Sequence, residues 1–184
     1  MEVVSLRAGT IEPAVRADEA VFTRLFDAYH GAITGYLYHL VGDRDLADDL
    51  AQETFLNAYR ALGRVNPDGN LRAWLYRIAT NAAISHFRRQ RRRRRVMAGS
   101  APAEPADEPR LAERLGEREL LEAALRRIGP GHATALLLRH HQGLSLAELA
   151  DALGMRPGSV KVRLYRARRA FIEAYRALAA ETAA

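Results

Sequence analysis

The segment 143–171 carries the local signals that most constrain the fold of this chain. Ser145, with Glu148 three residues later, matches the capping box that begins a helix. Apolar residues follow at helical spacing, and Gly154 then provides a residue that tolerates the positive φ of a helix end. Pro157 suits the first turn of a second helix, where its missing N–H needs no partner. The segment therefore predicts two helices joined by a tight turn.

One side of the second helix is apolar and the other is cationic. The apolar side consists of Val160, Leu164, Ala167 and Phe171, and the outward-facing cations are Lys161, Arg163, Arg166, Arg168 and Arg169. Such a helix fits the major groove of DNA, which is lined by phosphates and by acceptor-rich base edges. The pattern predicts a DNA-binding helix-turn-helix, and the alternative is an ordinary helical hairpin with a solvated basic face.

The composition allows a packed core and favours a polyanionic partner. The chain has 184 residues, of which 48% are hydrophobic, and its formal net charge is +6. It contains no cysteine, which excludes disulfides, thiol catalysis and cysteine-based zinc sites. The sequence shows neither an apolar run long enough to span a membrane nor a signal-peptide pattern, so we expect a cytoplasmic protein.

Helical periodicity runs through the chain and no segment shows a strand pattern, which predicts an all-α fold. Two basic stretches are separated by an acidic, proline- and alanine-rich one that is typical of an interdomain linker. We therefore predict two small helical domains, over 18–95 and 110–176, joined by a flexible linker over 96–109. The predicted flexible ends are 1–17 and 177–184.

A helix predicted over 45–62, with Asp45 as its N-cap, has an acidic side although the chain is basic overall. Four residues at i, i+3, i+4 and i+7 form this side, which we call the acidic face: Asp49, Gln52, Glu53 and Leu56. Its carboxylates would repel nucleic acid. On spacing alone, a solvated helix surface and a docking surface for a basic protein, with Leu56 as its apolar element, are equal alternatives.

The next helix, predicted over 71–92 after a turn at 65–70, combines cations, an aromatic ring and an amide on its predicted outer face. These residues are Arg72, Tyr76, Arg77, Asn81, Ser85 and Arg88. Proteins use such groups to hold phosphates, to stack a base and to read its edge. The arginine run over 88–95 predicts a non-specific phosphate clamp, with a solvated tail or a localisation signal as the alternatives.

No group of residues in the sequence predicts catalysis, a metal site or a bound cofactor. The adjacent His140 and His141 point to different faces of a helix, and the ligand spacing of a metal site is absent. Asp48 and Asp49 lie on an exposed helix rather than in a pocket, so acid–base chemistry is not expected. Neither type of glycine-rich phosphate loop occurs. We therefore expect that the chain is not an enzyme.

Three motifs, in this order, resemble those of bacterial RNA polymerase sigma factors of the extracytoplasmic-function (ECF) group. They are DLADDLAQETFLNAYRAL, RAWLYRIATNAA with the arginine run after it, and LSLAELADALGMRPGSVKVRLYRARRA. The resemblance implies a sigma2-like bundle and a sigma4-like helix-turn-helix domain joined by the linker. The implied function is to bind the core polymerase at the bacterial nucleoid, recognise the −10 and −35 promoter elements, help melt the −10 region and direct transcription initiation at a specialised regulon.

The resemblance also implies partners and site residues. The partners are the RNA polymerase core enzyme (the beta-prime clamp helices at the acidic face, and the beta flap), promoter DNA and an anti-sigma factor. The residues implied to contact the −10 element are Asn66, Asp68, Asn70, Arg72, Arg77, Asn81, Ser85 and Arg88. The residues implied to contact the −35 element are Arg156, Ser159, Lys161, Val162, Tyr165, Arg166 and Arg169.

One position departs from the family pattern, and two other functions compete with the sigma hypothesis. Val162 stands where family members often have serine; valine cannot donate a hydrogen bond, but its methyl groups can touch a thymine methyl. A stand-alone helix-turn-helix regulator would explain 143–171 and would dimerise on a palindrome, but it leaves the acidic helix unexplained. A nucleic-acid-modifying enzyme is the third hypothesis, and the sequence lacks catalytic residues for it.

Overall fold

A computed structural model describes residues 13–65, 69–97 and 116–183, and within these ranges the chain is helical and has no strand. The predicted all-α fold class is confirmed. The α-helices in chain order are α1 Pro13–Val41, α2 Arg44–Ala61, α3 Leu71–Met97, α4 Glu117–Arg127, α5 Pro130–Leu136, α6 Leu146–Leu153 and α7 Pro157–Ala183. A 3-10 turn, Leu62–Arg64, follows α2, and a π-helical turn, Leu137–His141, follows α5. None of the described helices is long and apolar enough to cross a membrane.

Helices α1 to α3 form a bundle, which we call the N-terminal bundle. Its core contains Ile33 and Tyr36 from α1, Phe55 from α2 and Leu75 from α3, each almost completely buried. The Tyr36 hydroxyl shares a hydrogen bond of 2.9 Å with Thr80 Oγ1 on α3. Burial raises the pKa of Tyr36 to about 12, so this phenol stays neutral and holds α1 to α3.

The N-terminus of α2 differs from its prediction. The N-cap is Asp43, which has extended backbone angles and accepts a hydrogen bond of 3.0 Å from the backbone N–H of Leu46. Asp45, the predicted N-cap, lies inside the first turn. The prediction was wrong because an aspartate is favourable both as an N-cap and in the first turn, where its negative charge interacts with the positive end of the helix dipole. Only the backbone angles distinguish the two positions.

Helices α4 to α7 form a second bundle, the C-terminal bundle, and it contains the predicted helix-turn-helix. The Ser145 hydroxyl accepts a hydrogen bond of 3.2 Å from the Glu148 N–H, and Glu148 Oε2 accepts one of 2.7 Å from the Ser145 N–H. Gly154 ends α6 with a φ of +61°, and Pro157 begins α7. The capping box, the glycine and the proline therefore take the predicted roles.

The ends of the predicted domains are only partly described. Residues 13–17 of the predicted N-terminal arm belong to α1, and 98–115, which includes most of the predicted linker, lies outside the described residues. The C-terminal segment predicted to be flexible from residue 177 is instead part of α7 through Ala183. Arg127 Nη1 of α4 lies 3.2 Å from Glu181 Oε1, and this ion pair ties the end of α7 to the bundle.

The buried residues of the two bundles form one contiguous apolar cluster. Helix α3 of the N-terminal bundle packs along α6 of the C-terminal bundle, while the end of α1 packs on α4 and on the π-helical turn. Tyr76, which the sequence predicts on the outer face of α3, is 1% exposed, and its ring packs edge-on against Tyr36 of α1 with ring centroids 5.6 Å apart. That prediction was wrong because the Tyr76 ring belongs to the core between α1 and α3, while its hydroxyl reaches Gln142 of the C-terminal bundle.

Candidate nucleic-acid and protein interfaces

All four residues of the acidic face are exposed on α2, and the side chain of Leu56 is 50% exposed. The opposite side of the same helix is buried and includes Leu50, Thr54 and Phe55. The Thr54 hydroxyl donates a hydrogen bond of 2.7 Å to the carbonyl of Leu50, which explains how a polar residue is accommodated in the core. The amphipathic character predicted for α2 is therefore present, with its acidic side directed to solvent.

Sequence reasoning missed an aromatic patch next to the acidic face. Phe22 and Phe26 of α1 pack edge-on against α2, with ring centroids 5.1 Å apart for Phe22 and Tyr59 and 4.9 Å apart for Phe26 and Phe55. Phe26 is 39% exposed and Tyr59 is 46% exposed. The i, i+4 spacing of the two phenylalanines indicates one packed side of a helix and does not distinguish buried from exposed rings. Exposed aromatic rings beside charged side chains are typical of protein–protein interfaces.

The residues assigned to the −10 element lie on α3 or, in the case of Asn70, directly before it; Asn66 and Asp68 fall outside the described residues. Asn70 precedes the helix and caps it, since its Oδ1 accepts a hydrogen bond of 2.9 Å from the Ala73 N–H. Further along, Asn81 and Arg88 are exposed and Ser85 is half-buried. The face therefore has two parts, an accessible distal part and a proximal part that begins at Asn70.

The proximal part of this face contacts the C-terminal bundle. Asn70 Nδ2 donates a hydrogen bond of 3.0 Å to Glu148 Oε1. The Arg72 guanidinium donates to the backbone carbonyl of Gln142, and its Nη1 lies 3.9 Å from Glu148 Oε1. The Tyr76 hydroxyl donates to the side-chain carbonyl of Gln142. These contacts join polar groups at the start of α3 to the C-terminal bundle, although Asn70 itself remains exposed.

The electrostatics of this contact centre on one carboxylate. The hydrogen bond from Asn70 is the main reason that the pKa of Glu148 falls to about 2, and the bonds from Ser145 and the charge of Arg72 act in the same direction. Burial raises the pKa of Tyr76 to about 12, so its hydroxyl remains a donor at neutral pH. Across the two bundles, the deprotonated Glu148 carboxylate therefore faces an amide donor and a cation, and the neutral Tyr76 hydroxyl donates to an amide carbonyl.

The residues assigned to the −35 element lie at the start of α7 and are exposed. They are Arg156, Ser159, Lys161, Val162, Tyr165, Arg166 and Arg169. Val162 and Tyr165 are 51% and 61% exposed, unusual for apolar side chains one helical turn apart. Arg163 departs from its predicted outward position: it is half-buried, and its Nη1 donates a bond of 3.4 Å to the carbonyl of Gly131. It is turned toward α5 because α5 covers that side of α7.

The described residues bring no group of three or more histidine or carboxylate side chains together at metal-binding distance. His140 instead lies with its Nε2 3.2 Å from an Arg168 Nη, and His141 contacts the ring of His39 across the two bundles, with ring centroids 4.7 Å apart. The described residues do present an acidic and aromatic surface on one bundle and cationic helices on both.

Comparison with protein families matches two regions of the chain. Residues 25–93 match the family model for sigma-70 region 2, and residues 118–171 match the model for sigma-70 region 4. The first match spans most of the N-terminal bundle, including the acidic face and the face of α3. The second contains the whole helix-turn-helix and the exposed start of α7.

Two curated relatives extend the match over most of the chain. The ECF RNA polymerase sigma factor BldN of Streptomyces coelicolor is 37% identical over 162 residues, which is 85% of this chain and 61% of that relative's length. The RNA polymerase sigma-H factor of Pseudomonas aeruginosa is 34% identical over 184 residues, covering 93% of this chain and 94% of that protein. The second alignment shows that the similarity is not limited to one domain.

Two solved structures share the fold. One is the sigma factor RpoE from Bartonella quintana, in complex with the anti-sigma factor NepR; it has a TM-score of 0.68 and 25% identity, over 85% of this chain and 97% of that one. The other is CnrH in complex with the cytosolic domain of CnrY, with a TM-score of 0.65 and 25% identity over 89% and 93% of the two chains. Family models, relatives and fold agree, and the chain belongs to the ECF sigma factors, which recognise promoters for RNA polymerase.

Proposed function

We propose that this chain works as the promoter-specificity subunit of a bacterial RNA polymerase, with the division of labour among its residues described below. The observation that supports this most directly is that regions matching sigma-70 region 2 and region 4 follow each other on one chain, each with an exposed surface of the appropriate chemistry. The chain supplies no catalytic group in this proposal, and the polymerase performs the chemistry in the cytoplasm, at the nucleoid.

The acidic face of α2 is the proposed contact with the core enzyme, through the clamp helices of the beta-prime subunit. Its exposure and its negative charge favour a basic protein partner over nucleic acid. The aromatic patch formed by Phe22, Phe26 and Tyr59 adjoins it and would supply the apolar area that a stable protein interface needs. The beta flap is the proposed partner of the C-terminal bundle.

The two cationic helices are the proposed promoter contacts. The residues of α3, from Asn70 to Arg88, would hold the melted −10 strand, because guanidinium groups bind phosphates and an extruded base can be read on its edge. The exposed start of α7 would enter the major groove of the −35 element, as recognition helices do. The arginine run after Arg88 would add affinity that does not depend on base sequence.

We also propose regulation by an anti-sigma factor. The two solved structures with the same fold are described as complexes with an anti-sigma factor and with the cytosolic domain of CnrY. The exposed aromatic patch offers this chain an apolar surface on which such a protein could dock.

Run-off transcription tests the proposed function. Purified core polymerase is incubated with sheared DNA of the source genome, with and without this protein, and new 5′ ends are mapped. We expect new start sites that share two spaced upstream elements. If no start site appears and the protein does not bind the polymerase, the stand-alone regulator becomes the better hypothesis.

A further inference from the structure

A groove lies beside the start of α7, between this helix and the turn that connects α4 to α5; we call it the α7 groove. Its volume is about 570 Å³, and all of its lining residues belong to the C-terminal bundle. Ligand sites in proteins usually measure about 300–1,000 Å³. At the turn, Gly129 has a φ of +78°, and a carbon added to Gly131 would lie 3.8 Å from Arg163 Nη1. Glycine at these two positions leaves space that side chains would otherwise fill.

Part of the lining of the α7 groove is apolar. Ile128 and Met155 are half-buried there, Val162 is exposed, and Pro130 adds its ring at the start of α5. A purely charged occupant, such as a phosphate of the DNA backbone, would gain nothing from this surface. An occupant with an apolar body would instead remove it from water, which is favourable in proportion to the area covered. The apolar lining therefore favours an organic ligand over a phosphate alone.

The polar part of the lining is cationic. It consists of the guanidinium groups of Arg163 and Arg166, the imidazole of His132 and the hydroxyl of Ser159, and none of the lining residues is acidic. Within the described parts of the chain, neither arginine lies within 4.0 Å of a carboxylate.

Arg163 has donors to spare although it is half-buried. Its Nη1 donates to the carbonyl of Gly131 over 3.4 Å, the long end of the range for such a bond, while a guanidinium carries five N–H donors. An anion that enters the groove would gain charge-assisted hydrogen bonds without first displacing a carboxylate.

We propose that the α7 groove binds a small organic anion, in which a carboxylate, sulfonate or phosphate group is attached to a compact apolar body. The anionic group lies against Arg163 and Arg166, and the apolar body covers Met155 and Val162. Because Ser159, Val162 and Arg166 are also assigned to the −35 element, the occupant competes with promoter DNA for them. The site itself does not depend on the proposed function, and only this competition rests on it.

Methionine methyl groups allow the site to be tested locally in the full-length protein. The chain contains three methionines, and Met155 is the one among the lining residues of the groove. The methyl groups are labelled with carbon-13, and the spectrum of Met155→Leu identifies the signal of Met155. Met97 follows the arginine run directly in the sequence, so its signal reports anions that bind arginines without any groove.

The probe is naphthalenesulfonate, which joins a sulfonate to a rigid ring system. Methanesulfonate supplies the charge without rings, and naphthol supplies the rings without charge at neutral pH. We expect the probe to shift the Met155 signal saturably, with a Kd on the order of 1 mM for a ligand of this size, and neither control compound to do so. Equal shifts from methanesulfonate, or parallel shifts of Met97 and Met155, would show non-specific anion binding only and would overturn the proposal.

Two variants separate the roles of charge and space. Arg166→Gln removes one cation from the groove, and Arg176→Gln makes the same charge change at an exposed position of α7 outside it. We expect Arg166→Gln to raise the Kd of the probe about five-fold and Arg176→Gln to leave it unchanged. Gly131→Leu keeps every charge but fills the groove, and it should abolish the saturable shift while circular dichroism matches the wild type. If Gly131→Leu does not fold, the two arginine variants decide alone, and equal Kd values for them refute the site.

Competition is measured with a fluorescent duplex that carries the −35 element found by run-off transcription. At a probe concentration five times its Kd, competition raises the apparent Kd of the duplex about six-fold, whereas methanesulfonate at the same ionic strength does not raise it. An unchanged duplex Kd would overturn the competition. A Met155 signal that shifts with duplex but not with the probe would make the groove a DNA contact and overturn the ligand site. If no −35 element is recovered, the proposed function fails, and the Met155 titration still decides whether the site exists.

Discussion

Val162 is an exposed apolar residue within a helix face that is otherwise cationic. It is 51% exposed and is followed by Tyr165 one turn later, so it presents methyl groups to whatever the helix contacts. In the proposed −35 complex these methyl groups favour a thymine methyl and offer no hydrogen bond to any base edge. Its side chain would therefore influence base preference more than overall affinity.

Replacing Val162 by serine tests this role. We expect Val162→Ser to lose a preference of a few-fold for thymine at one −35 position, since a methyl contact contributes less than the ~1–3 kcal/mol of a bidentate pair. The measurement is run-off transcription from promoters that carry each base at each −35 position. Val162→Thr, which keeps one methyl group, serves as the control. An unchanged base profile for Val162→Ser would place the residue outside the contact.

Gly154 and Gly158 are four residues apart and differ in whether their backbone conformation accommodates an alanine. Gly154 has a φ of +61° in the turn, whereas Gly158 lies in the first turn of α7 with open space around its Cα. We expect Gly154→Ala to lower the free energy of unfolding by about 1 kcal/mol, because the left-handed conformation strains an L-residue. We expect Gly158→Ala to raise it by a few tenths of a kcal/mol to about 1 kcal/mol.

Urea denaturation of the two glycine variants measures these changes. The opposite signs make each variant the control of the other, since both exchange glycine for alanine in the same motif. Two changes of the same sign would contradict the backbone explanation.

At the scale of elements, the helix-turn-helix could be predicted in detail because its signals are local. The capping box, the positive φ of Gly154 and the proline start of α7 depend on residues within a few positions of each other. The buried position of Tyr76 could not be predicted, since it depends on Tyr36 of α1 and on Gln142, which are both distant in the sequence. The aromatic patch was missed for a related reason: periodicity assigns Phe22 and Phe26 to the packed side of α1 but cannot show how much of that side stays exposed.

The acidic face gives a prediction at this scale. Reversing two charges on α2, in Asp49→Lys with Glu53→Lys, should weaken binding to core polymerase at least ten-fold, because both carboxylates would face a basic partner. The matched control is Glu117→Lys with Asp151→Lys, which applies the same charge change to exposed positions of the C-terminal bundle. Binding is measured by anisotropy of a dye-labelled protein titrated with core enzyme. Equal affinities for the two double variants would remove α2 from the interface.

At the scale of the whole molecule, the contact between the bundles should depend on pH. His39 at the end of α1 faces His141 of the π-helical turn, and Arg118 and Glu122 of α4. Burial, with the charge of His141 next, lowers the pKa of His39 below 6.5. An open form would restore the ordinary pKa, so it binds more protons than the closed form. Closure is therefore favoured above about pH 6.5 and is lost as the pH falls through the lowered value.

Energy transfer between a donor and an acceptor dye, attached through Ala28→Cys on α1 and Ala177→Cys on α7, tests this expectation because the chain has no other cysteine. We expect the efficiency to stay level above about pH 7 and to fall as the pH is lowered below about 6.5, and His39→Gln to remove this fall. Glu148, with a pKa of about 2, stays ionised over this range and does not contribute to the change. His86→Gln, on α3, is the control. A fall that persists in His39→Gln would assign the pH dependence to another group.

Glu148 uses its two carboxylate oxygens for different partners. Oε2 accepts the Ser145 N–H at the start of α6, and Oε1 accepts the amide of Asn70 on the other bundle. When the bundles part, only Oε1 has to exchange its partner for water, and α6 keeps its cap. Separation and refolding are thereby uncoupled: the two bundles can part and rejoin many times without unfolding the helix-turn-helix.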